Sequence, residues 1–307
     1  MRKLLLDAPN QLTIPQQGLQ FYGDFWHPEQ QGFGTLTNGT GIATPSALVA
    51  GANTVTVTQL GTFTIWLPSI HTGTVASGTC TVTGSPVSLV GGNNTITTTT
   101  ATGTITVTCT DQVVDRSTNS LLCTAVGSPV WSNQGRIMDD NDDYFIVPHS
   151  SSLTFTTESF TFLKWIQACS TCGEHFILQK GVENASGYRW YISGNTMYFG
   201  TSQAAAEQLS AATASFTSLN TWYLMSVTRD GASVILRRNL TNITTTSASH
   251  VNLATNTADL IIGVYRDKAY GNWGGKIGED LIYQPALSLA EITQIYNAIK
   301  GQPRYQS

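Results

Sequence analysis

Charged residues are scarce in this chain. Only 11% of its 307 residues are Asp, Glu, Lys or Arg, well under half the usual share of about 25%. None of these types occurs between Gln30 and Thr110, and the formal net charge of the whole chain is −4. That balance leaves no basic surface of the kind that binds nucleic acid. Hydroxyl groups, above all those of 45 threonines, must make the surface polar, as in many rigid extracellular or viral assemblies.

Long apolar runs are missing as well. No stretch approaches the roughly 18 apolar residues of a membrane span. The first residues begin like a secretion signal, but Asp7 and Pro9 interrupt the run before it reaches the roughly 7–15 apolar residues that a signal needs. We therefore expect neither a cleaved signal nor a membrane anchor.

Cysteines are few and odd in number, so at least one thiol is free unless a bond joins two chains. Cys80 and Cys109 end two matched Thr-rich segments and could bridge them. Cys169 and Cys172, with His175 nearby, have half the spacing of a zinc site. A local thiol pair or disulfide is the favoured alternative to zinc there.

The charge-free tract contains an internal repeat. Residues 45–58 recur as residues 86–99, and each copy precedes a Gly-Thr-x-Thr segment, at 61–65 and 103–107. Alternating Thr and Val or Ile predicts strands, and Gly/Asn turns predict hairpins. We interpret residues 35–110 as a small Thr/Gly-rich β-domain of two repeated hairpin units, inserted into a larger fold. A disordered low-complexity tract is the less favoured alternative.

The C-terminal segment has the pattern of a strand, a turn and a capped helix. Lys276–Tyr283 is rich in β-branched and aromatic residues, as half-buried strands are. Ser288 and Glu291 form a capping box, in which two side chains satisfy free N–H groups at a helix start. Apolar residues then repeat at helical spacing until Gly301. The apolar stripe of this helix predicts a large sheet beneath it.

This closing segment resembles that of the LamG-like jelly roll, in the concanavalin A-like lectin/glucanase superfamily. Further segments resemble the same family in the same order: 18–26, 127–136, 142–148, 159–166, 176–180, 221–231 and 261–263. The resemblance implies an all-β jelly-roll β-sandwich of the concanavalin A-like type with a short C-terminal helix. We divide the chain into an arm (1–16), a sandwich (17–34 and 111–301), the insert (35–110) and a tail (302–307). Trp165 and Trp222 are expected to be buried on facing sheets.

The same superfamily includes glycoside hydrolases, so catalysis has to be tested on the residues. Retaining hydrolysis needs two carboxyl groups about 5–5.5 Å apart. Neighbours along a strand point to opposite faces, so the adjacent Glu279 and Asp280 cannot form that pair. No Glu-x-Asp-x-x-Glu run occurs in the chain. The sequence therefore predicts a protein that is not an enzyme.

Two groups of residues are candidates for binding. Tyr265, Tyr270, Trp190 and Tyr191 are aromatic residues in or near loops, where they could stack on sugars. A second group is acidic: Asp139, Asp140, Asp142 and Asp143. Such a loop offers the oxygen ligands that Ca²⁺ prefers. The favoured alternative is a solvated turn whose carboxylates accept hydrogen bonds from local N–H groups. Apart from this possible structural calcium, no cofactor is expected.

The function predicted from these features is non-enzymatic. We expect a structural protein on the surface of a bacteriophage virion (a capsid decoration, head fibre or tail component) with a role in glycan adhesion. The expected partners are other virion proteins, copies of the chain itself, with a trimer favoured, and host surface glycans. The alternative is a free carbohydrate-binding module of a cellular or secreted protein.

Overall fold

The computed structural model describes residues 14–25, 35–37, 48, 51–68, 71–100, 102–169 and 173–302. The predicted arm, apart from residues 14–16, and Cys172 lie outside them. The predicted fold class is confirmed, since the chain is mostly β with one short C-terminal helix. Among the described residues, no helix combines the length and apolarity needed to cross a membrane.

One sheet of the sandwich, sheet I, is built around the long strand β23 and carries the helix. Its strands run β21-β20-β19-β14-β23-β1, with the β11–β12 hairpin on the other part of the same edge of β23. They are β1 (Leu19–Asp24), β11 (Val130–Ser132), β12 (Gly135–Asp139), β14 (Phe160–Ala168), β19 (Trp222–Asp230), β20 (Ser233–Arg238), β21 (Thr241–Asn242) and β23 (Gly274–Tyr283).

The other sheet, sheet II, follows the order β18-β17-β16-β15-β22-β13-β10-β9. Its strands are β9 (Gln112–Asp115), β10 (Cys123–Val126), β13 (Tyr144–Val147), β15 (Glu174–Val182), β16 (Ser186–Ser193), β17 (Thr196–Gln203), β18 (Ala206–Ala212) and β22 (Leu260–Ile262). Antiparallel pairing of β1 with β9 joins the two sheets along one edge. The inner faces of both sheets share one large core.

Successive side chains of β14 alternate between two hydrophobic cores, one on each face of sheet I. Phe160, Phe162 and Ile166 belong to the main core, whereas Leu163 and Trp165 belong to a second cluster on the outer face of sheet I. The C-terminal helix covers that outer face. Sheet I is therefore buried on both sides here, which explains why every residue of β14 is buried.

The predicted helix is α1 (Leu289–Lys300), and its predicted capping box is present. Ile292, Ile295 and Ile299 lie in the outer cluster of sheet I. The hydroxyl of Tyr283, at the end of β23, donates a hydrogen bond of 2.8 Å to the carbonyl of Pro15. The segment before β1 and the helix after β23 therefore lie on the same outer face of sheet I.

The expected placement of Trp165 and Trp222 on facing sheets is wrong. They lie on β14 and β19, which pair side by side in sheet I. Their rings stack with centroids 6.5 Å apart in the cluster beneath the helix. Both side chains point to the outer face of sheet I, under the helix, and not into the space between the two sheets.

The inserted segment forms two small sheets around a core of its own. One has the order β2-β4-β7 and the other β3-β8-β5-β6. The strands are β2 (Thr35–Thr37), β3 (Gly51–Val57), β4 (Gly61–Leu67), β5 (Thr72–Ser77), β6 (Val87–Leu89), β7 (Gly92–Thr98) and β8 (Gly103–Thr110). That this unit folds independently of the sandwich stays a prediction.

The two repeats do not form two hairpins, which corrects the expected pairing. β3 pairs with β8 and β4 with β7, so the two long strands of one repeat pair with the two long strands of the other. Both strands of a repeat bury alternate side chains, such as Val55 in β3 and Ile65 in β4, in the same core. Such strands can face each other across a core instead of pairing side by side. Cys80 and Cys109 are both buried free thiols, so the suggested bridge is not formed.

Candidate functional site

A line of aromatic side chains crosses the outer face of sheet II. Phe176 on β15 pairs with Tyr191 on β16, which in turn pairs with Tyr198 on β17. Their rings stack in sequence, with centroid distances of 5.2 Å and 5.0 Å. Directly opposite residues of antiparallel strands point to the same face of a sheet, so this line follows from the register.

The loop after β22 adds two more tyrosines to this line. Tyr265 packs on Phe176 at 4.9 Å, and Tyr270 stacks on Tyr265 at 4.6 Å. The backbone N–H of Tyr265 donates to the carbonyl of Tyr270 and closes the loop. Tyr265 is buried, whereas Tyr270 is 44% exposed. We call Phe176, Tyr191, Tyr198, Tyr265 and Tyr270 the tyrosine cluster.

The tyrosine cluster borders an ion-pair network centred on Arg189. This residue lies two positions before Tyr191 in β16, on the same face, and its guanidinium stacks over that ring at 4.8 Å. Its Nε and Nη2 atoms donate to Glu207, and its Nη1 and Nη2 atoms donate to Glu183. A side chain at Gly200 would collide with Glu207, so the glycine keeps this space open.

The surroundings raise the pKa values of three side chains on this face, those of Arg189, Tyr191 and Tyr270. Burial opposes the charge of Arg189, but the carboxylates of Glu207 and Glu183 outweigh burial and raise its pKa. Burial raises the pKa of Tyr191 to about 12, and burial with the neighbouring Tyr265 does the same for Tyr270. Both tyrosines therefore carry neutral hydroxyl groups at physiological pH, and a hydroxyl can donate and accept hydrogen bonds.

Three of the four predicted aromatic residues meet here, and one does not. Trp190 is fully buried in the main core, because neighbours along β16 point to opposite faces and Tyr191 takes the outer one. Sequence reasoning missed Tyr198. A hairpin turn at Gly194-Asn195 pairs Tyr191 with Tyr198 by counting alone, so that residue could have been found.

The predicted metal ligands separate into a cluster and one outlier. Carboxylate oxygens of Asp139, Asp142 and Asp143 lie within 4.8 Å of one another. Asp139 accepts hydrogen bonds from the N–H groups of Asn141 and Asp142. Asp143 is buried, which raises its pKa, and it accepts from the N–H groups of Ser128 and Asp139. These hydrogen bonds are the ones expected of a turn whose carboxylates accept from local N–H groups, and calcium binding stays a prediction.

Asp140 lies apart from that cluster. Its backbone has a positive φ of 65°, and its carboxylate lies 3.4 Å from Nδ1 of His175. That imidazole atom also lies 2.7 Å from the carbonyl oxygen of Asn272. Cys169 is a free thiol at the surface, and its pKa is raised first by partial desolvation and then by the charge of Asp140. The proposed Cys169–Cys172 pairing falls partly outside the described residues.

A pair of carboxyl groups that sequence reasoning missed lies in sheet I. Asp24 on β1 stands directly opposite Glu279 on β23, so the two side chains share one face. Spacing along a single strand does not reveal this pair, because β1 and β23 come from opposite ends of the sequence. The two residues are 5% and 0% exposed, and Asp24 forms an ion pair with Arg116.

Two solved structures with a similar fold are binding domains of bacterial toxins. The receptor-binding domain of botulinum neurotoxin D aligns with a TM-score of 0.50 and 15% identity, over 60% of this chain and 49% of that one. The binding domain of botulinum neurotoxin serotype G aligns with a TM-score of 0.50 and 14% identity, over 60% and 48%. This chain thus spans about half the length of these domains. At such identity the likeness shows the fold alone.

The sequence itself gives a more direct result. No curated protein matches the chain. A family model described as the concanavalin A-like lectin/glucanases superfamily matches residues 139–293, which is about half of the chain. That segment contains most of sheet II, the tyrosine cluster and the start of the C-terminal helix, and the resemblance seen in the motifs is confirmed. The chain belongs to the concanavalin A-like lectin/glucanase superfamily.

Proposed function

We propose that this protein is a non-catalytic carbohydrate-binding module whose tyrosine cluster is the sugar platform. The observation that carries the proposal is Tyr270, a ring 44% exposed and held in place by stacking on Tyr265. Tyrosine combines a flat apolar face with a polar tip, which suits the apolar ring faces and the hydroxyl groups of a sugar. A rigid stack loses little conformational freedom when a ligand binds it.

The neighbouring ion pairs favour a neutral sugar over an anionic one. Four of the five N–H groups of Arg189 are already donated to Glu183 and Glu207. The three groups together carry one net negative charge, and their remaining hydrogen-bonding capacity lies mainly in carboxylate oxygens. A ligand with several hydroxyl donors is complementary to these acceptors. The fold relation to two toxin binding domains also supports a binding role.

Replacing Tyr270 with alanine should weaken binding to the preferred glycan by at least about tenfold, or ~1.4 kcal/mol. The exposed ring makes no contribution to the main core, so the folded structure should persist. A glycan array on purified protein would identify the ligand, and titration calorimetry would compare the variant with the wild type.

The matched control is Trp66→Ala, which removes another exposed aromatic ring, 41% exposed, from β4 in the insert. That variant should bind as the wild type does. Equal loss in both variants, or unchanged binding by Tyr270→Ala, would contradict the assignment of the sugar platform.

We also propose that the protein acts on the surface of a bacteriophage particle, as a decoration, head fibre or tail component. Support comes from the charge-poor surface and from the Thr-rich insert, whose outward side chains are largely hydroxyls. Neighbouring subunits can lie against such a surface without charge repulsion. We expect a homo-oligomer, with a trimer favoured, bound to other virion proteins.

Light scattering on the purified protein and mass spectrometry of purified virions test this setting. The expected results are a trimeric mass and a stoichiometric amount of the chain in the particle. A stable monomer that is absent from virions but binds glycans would instead favour the free module of a cellular or secreted protein.

A further inference from the structure

A pocket of about 500 Å³ lies beside one end of sheet II, where β13 ends and β22 begins. Two loops form its walls, and the residues that line it are His149, Ser151, Thr154, Thr255, Asn256 and Thr257. Four of these six carry hydroxyl groups, one an amide and one an imidazole. None of these six residues is acidic, and the pocket is wide open to solvent.

A buried ammonium group joins the two walls. Lys180 is only 1% exposed, and its Nζ atom lies 3.1 Å from Nδ1 of His149 on one wall. The same atom donates to the carbonyl of Ala258, next to the other wall. An ammonium has no acceptor, so Nδ1 of His149 must accept this bond. The neutral imidazole then carries its proton on Nε2, as a donor.

The walls are held by further hydrogen bonds and one close approach. The backbone N–H of His149 donates to Oδ1 of Asp259. The carboxamide oxygen of Asn256 accepts from the N–H of Ala258. A Cβ at Gly187 would lie 2.8 Å from Nδ2 of Asn256, so glycine at that position leaves room for the amide. The pocket is therefore positioned before any ligand arrives.

One carboxylate, that of Asp259, lies near the charge of Lys180. Burial lowers its pKa to about 8, and Asp259 acts in the opposite direction. One carboxylate oxygen of Asp259 is already occupied by the N–H of His149. Among the described residues, His149 also contacts Lys180, and its Nδ1 accepts a hydrogen bond from the ammonium. An anionic group in the pocket would be attracted by the buried ammonium and meet hydroxyl and N–H donors around it.

We propose that this pocket binds a small carboxylate-bearing sugar, of the uronic acid class. The carboxylate would be attracted by the buried Lys180 and accept hydrogen bonds from donors such as Nε2–H of His149. The sugar hydroxyls would bond with the Ser and Thr hydroxyls of the walls. The site shares no residue with the tyrosine cluster and would recognise an anionic instead of a neutral sugar, so it is a second site with its own ligand.

Calorimetric titration of the full chain with sodium glucuronate, glucose and acetate tests the proposal. Glucuronate should bind at least tenfold more tightly than either probe, because glucose lacks the anion and acetate lacks the hydroxyls. Lys180→Met should lose at least tenfold in affinity, while Lys300→Met, which removes an exposed lysine on α1, should bind as the wild type does. Above pH ~8, Lys180 of the ligand-free protein loses its proton. The affinity for glucuronate should then fall about tenfold per pH unit.

A second variant tests the same site in case Lys180→Met does not fold. Thr257→Val keeps the buried charge and removes one wall hydroxyl, and it should weaken glucuronate binding several-fold. No measurable binding of glucuronate to the wild type would overturn the proposal. So would glucose or acetate binding as tightly as glucuronate, or folded variants of Lys180 and Thr257 that bind with unchanged affinity.

Discussion

Replacing Lys164 alone with methionine should lower the free energy of unfolding by about 3–5 kcal/mol. Lys164 on β14 and Asp280 on β23 form an ion pair in the sandwich interior, and both side chains are fully buried. Burial lowers the pKa of Lys164 and raises that of Asp280, while the attraction between them opposes both shifts. Removing one partner leaves the other charge in the interior, where it must be neutralised or unfold the protein.

The double variant Lys164→Met with Asp280→Leu should recover most of the loss, to within about 1 kcal/mol of the wild type. The pair is incompletely satisfied, because Oδ1 of Asp280 has no hydrogen-bond partner among the described residues. Two apolar side chains of similar size avoid that cost. Urea unfolding of the single and double variants measures both values.

The control for this series is Lys276→Met on β23, a lysine that is only half-buried and contacts Gln134. Its loss should change stability by less than about 1 kcal/mol. If the double variant were as unstable as the single one, the ion pair would matter for a reason other than the cost of an unpaired buried charge.

The position of Lys164 was readable from the sequence, but its partner was not. Period-two alternation places Lys164 in phase with Phe160, Phe162 and Ile166, which face the main core. A strand pattern thus predicts an inward lysine and implies that an acid must meet it. Asp280 lies 116 residues away, and only the register of β14 against β23 selects it over Glu279.

The same limit explains what could be predicted of the fold. Local signals were sufficient for the capped helix, because Ser288 and Glu291 act within four residues. They failed for the insert, because strands of one repeat can form a hairpin or face each other across a core with the same alternation. Which of these occurs depends on the pairing of β3 with β8 and of β4 with β7.

Some contacts of the candidate site could be predicted from the sequence, and others depend on how distant strands pair. Tyr191 and Tyr198 are joined by a two-residue turn, so their contact follows from counting along the hairpin. Arg189 and Glu207 meet across two successive hairpins, at 18 residues apart, and the glycine that makes room for them is informative only once the register is known. The approach of Tyr265 to Phe176 depends on β22 lying beside β15, which no local pattern encodes.

The second large predicted effect is a pH-dependent change in the free energy of unfolding, and it comes from a buried histidine. His250 is fully buried, with Nδ1 2.8 Å from the hydroxyl of Thr201 and Nε2 2.7 Å from that of Ser210. Burial first, and then the positive charge of Arg229, lower its pKa from 6.5 to about 4. Both hydroxyls can adapt to a neutral imidazole, whereas an imidazolium would lie near the cation Arg229, with no carboxylate in contact in the described part of the chain.

His250 should therefore destabilise the protein as the pH falls. A histidine with a lowered pKa contributes stability that is fully present above its unfolded pKa of 6.5 and is lost as the pH falls towards its folded pKa of about 4. The loss by pH 4 should be about 3 kcal/mol. Urea unfolding of the wild type and of His250→Gln at a series of pH values between 7 and 4 isolates this contribution, because carboxyl groups titrate in both proteins. The stability difference between them should shrink or reverse as the pH falls, since only the wild type must take up a proton at this site on unfolding. Parallel pH curves for the two proteins would show that His250 takes up its proton as readily in the folded state as in the unfolded state.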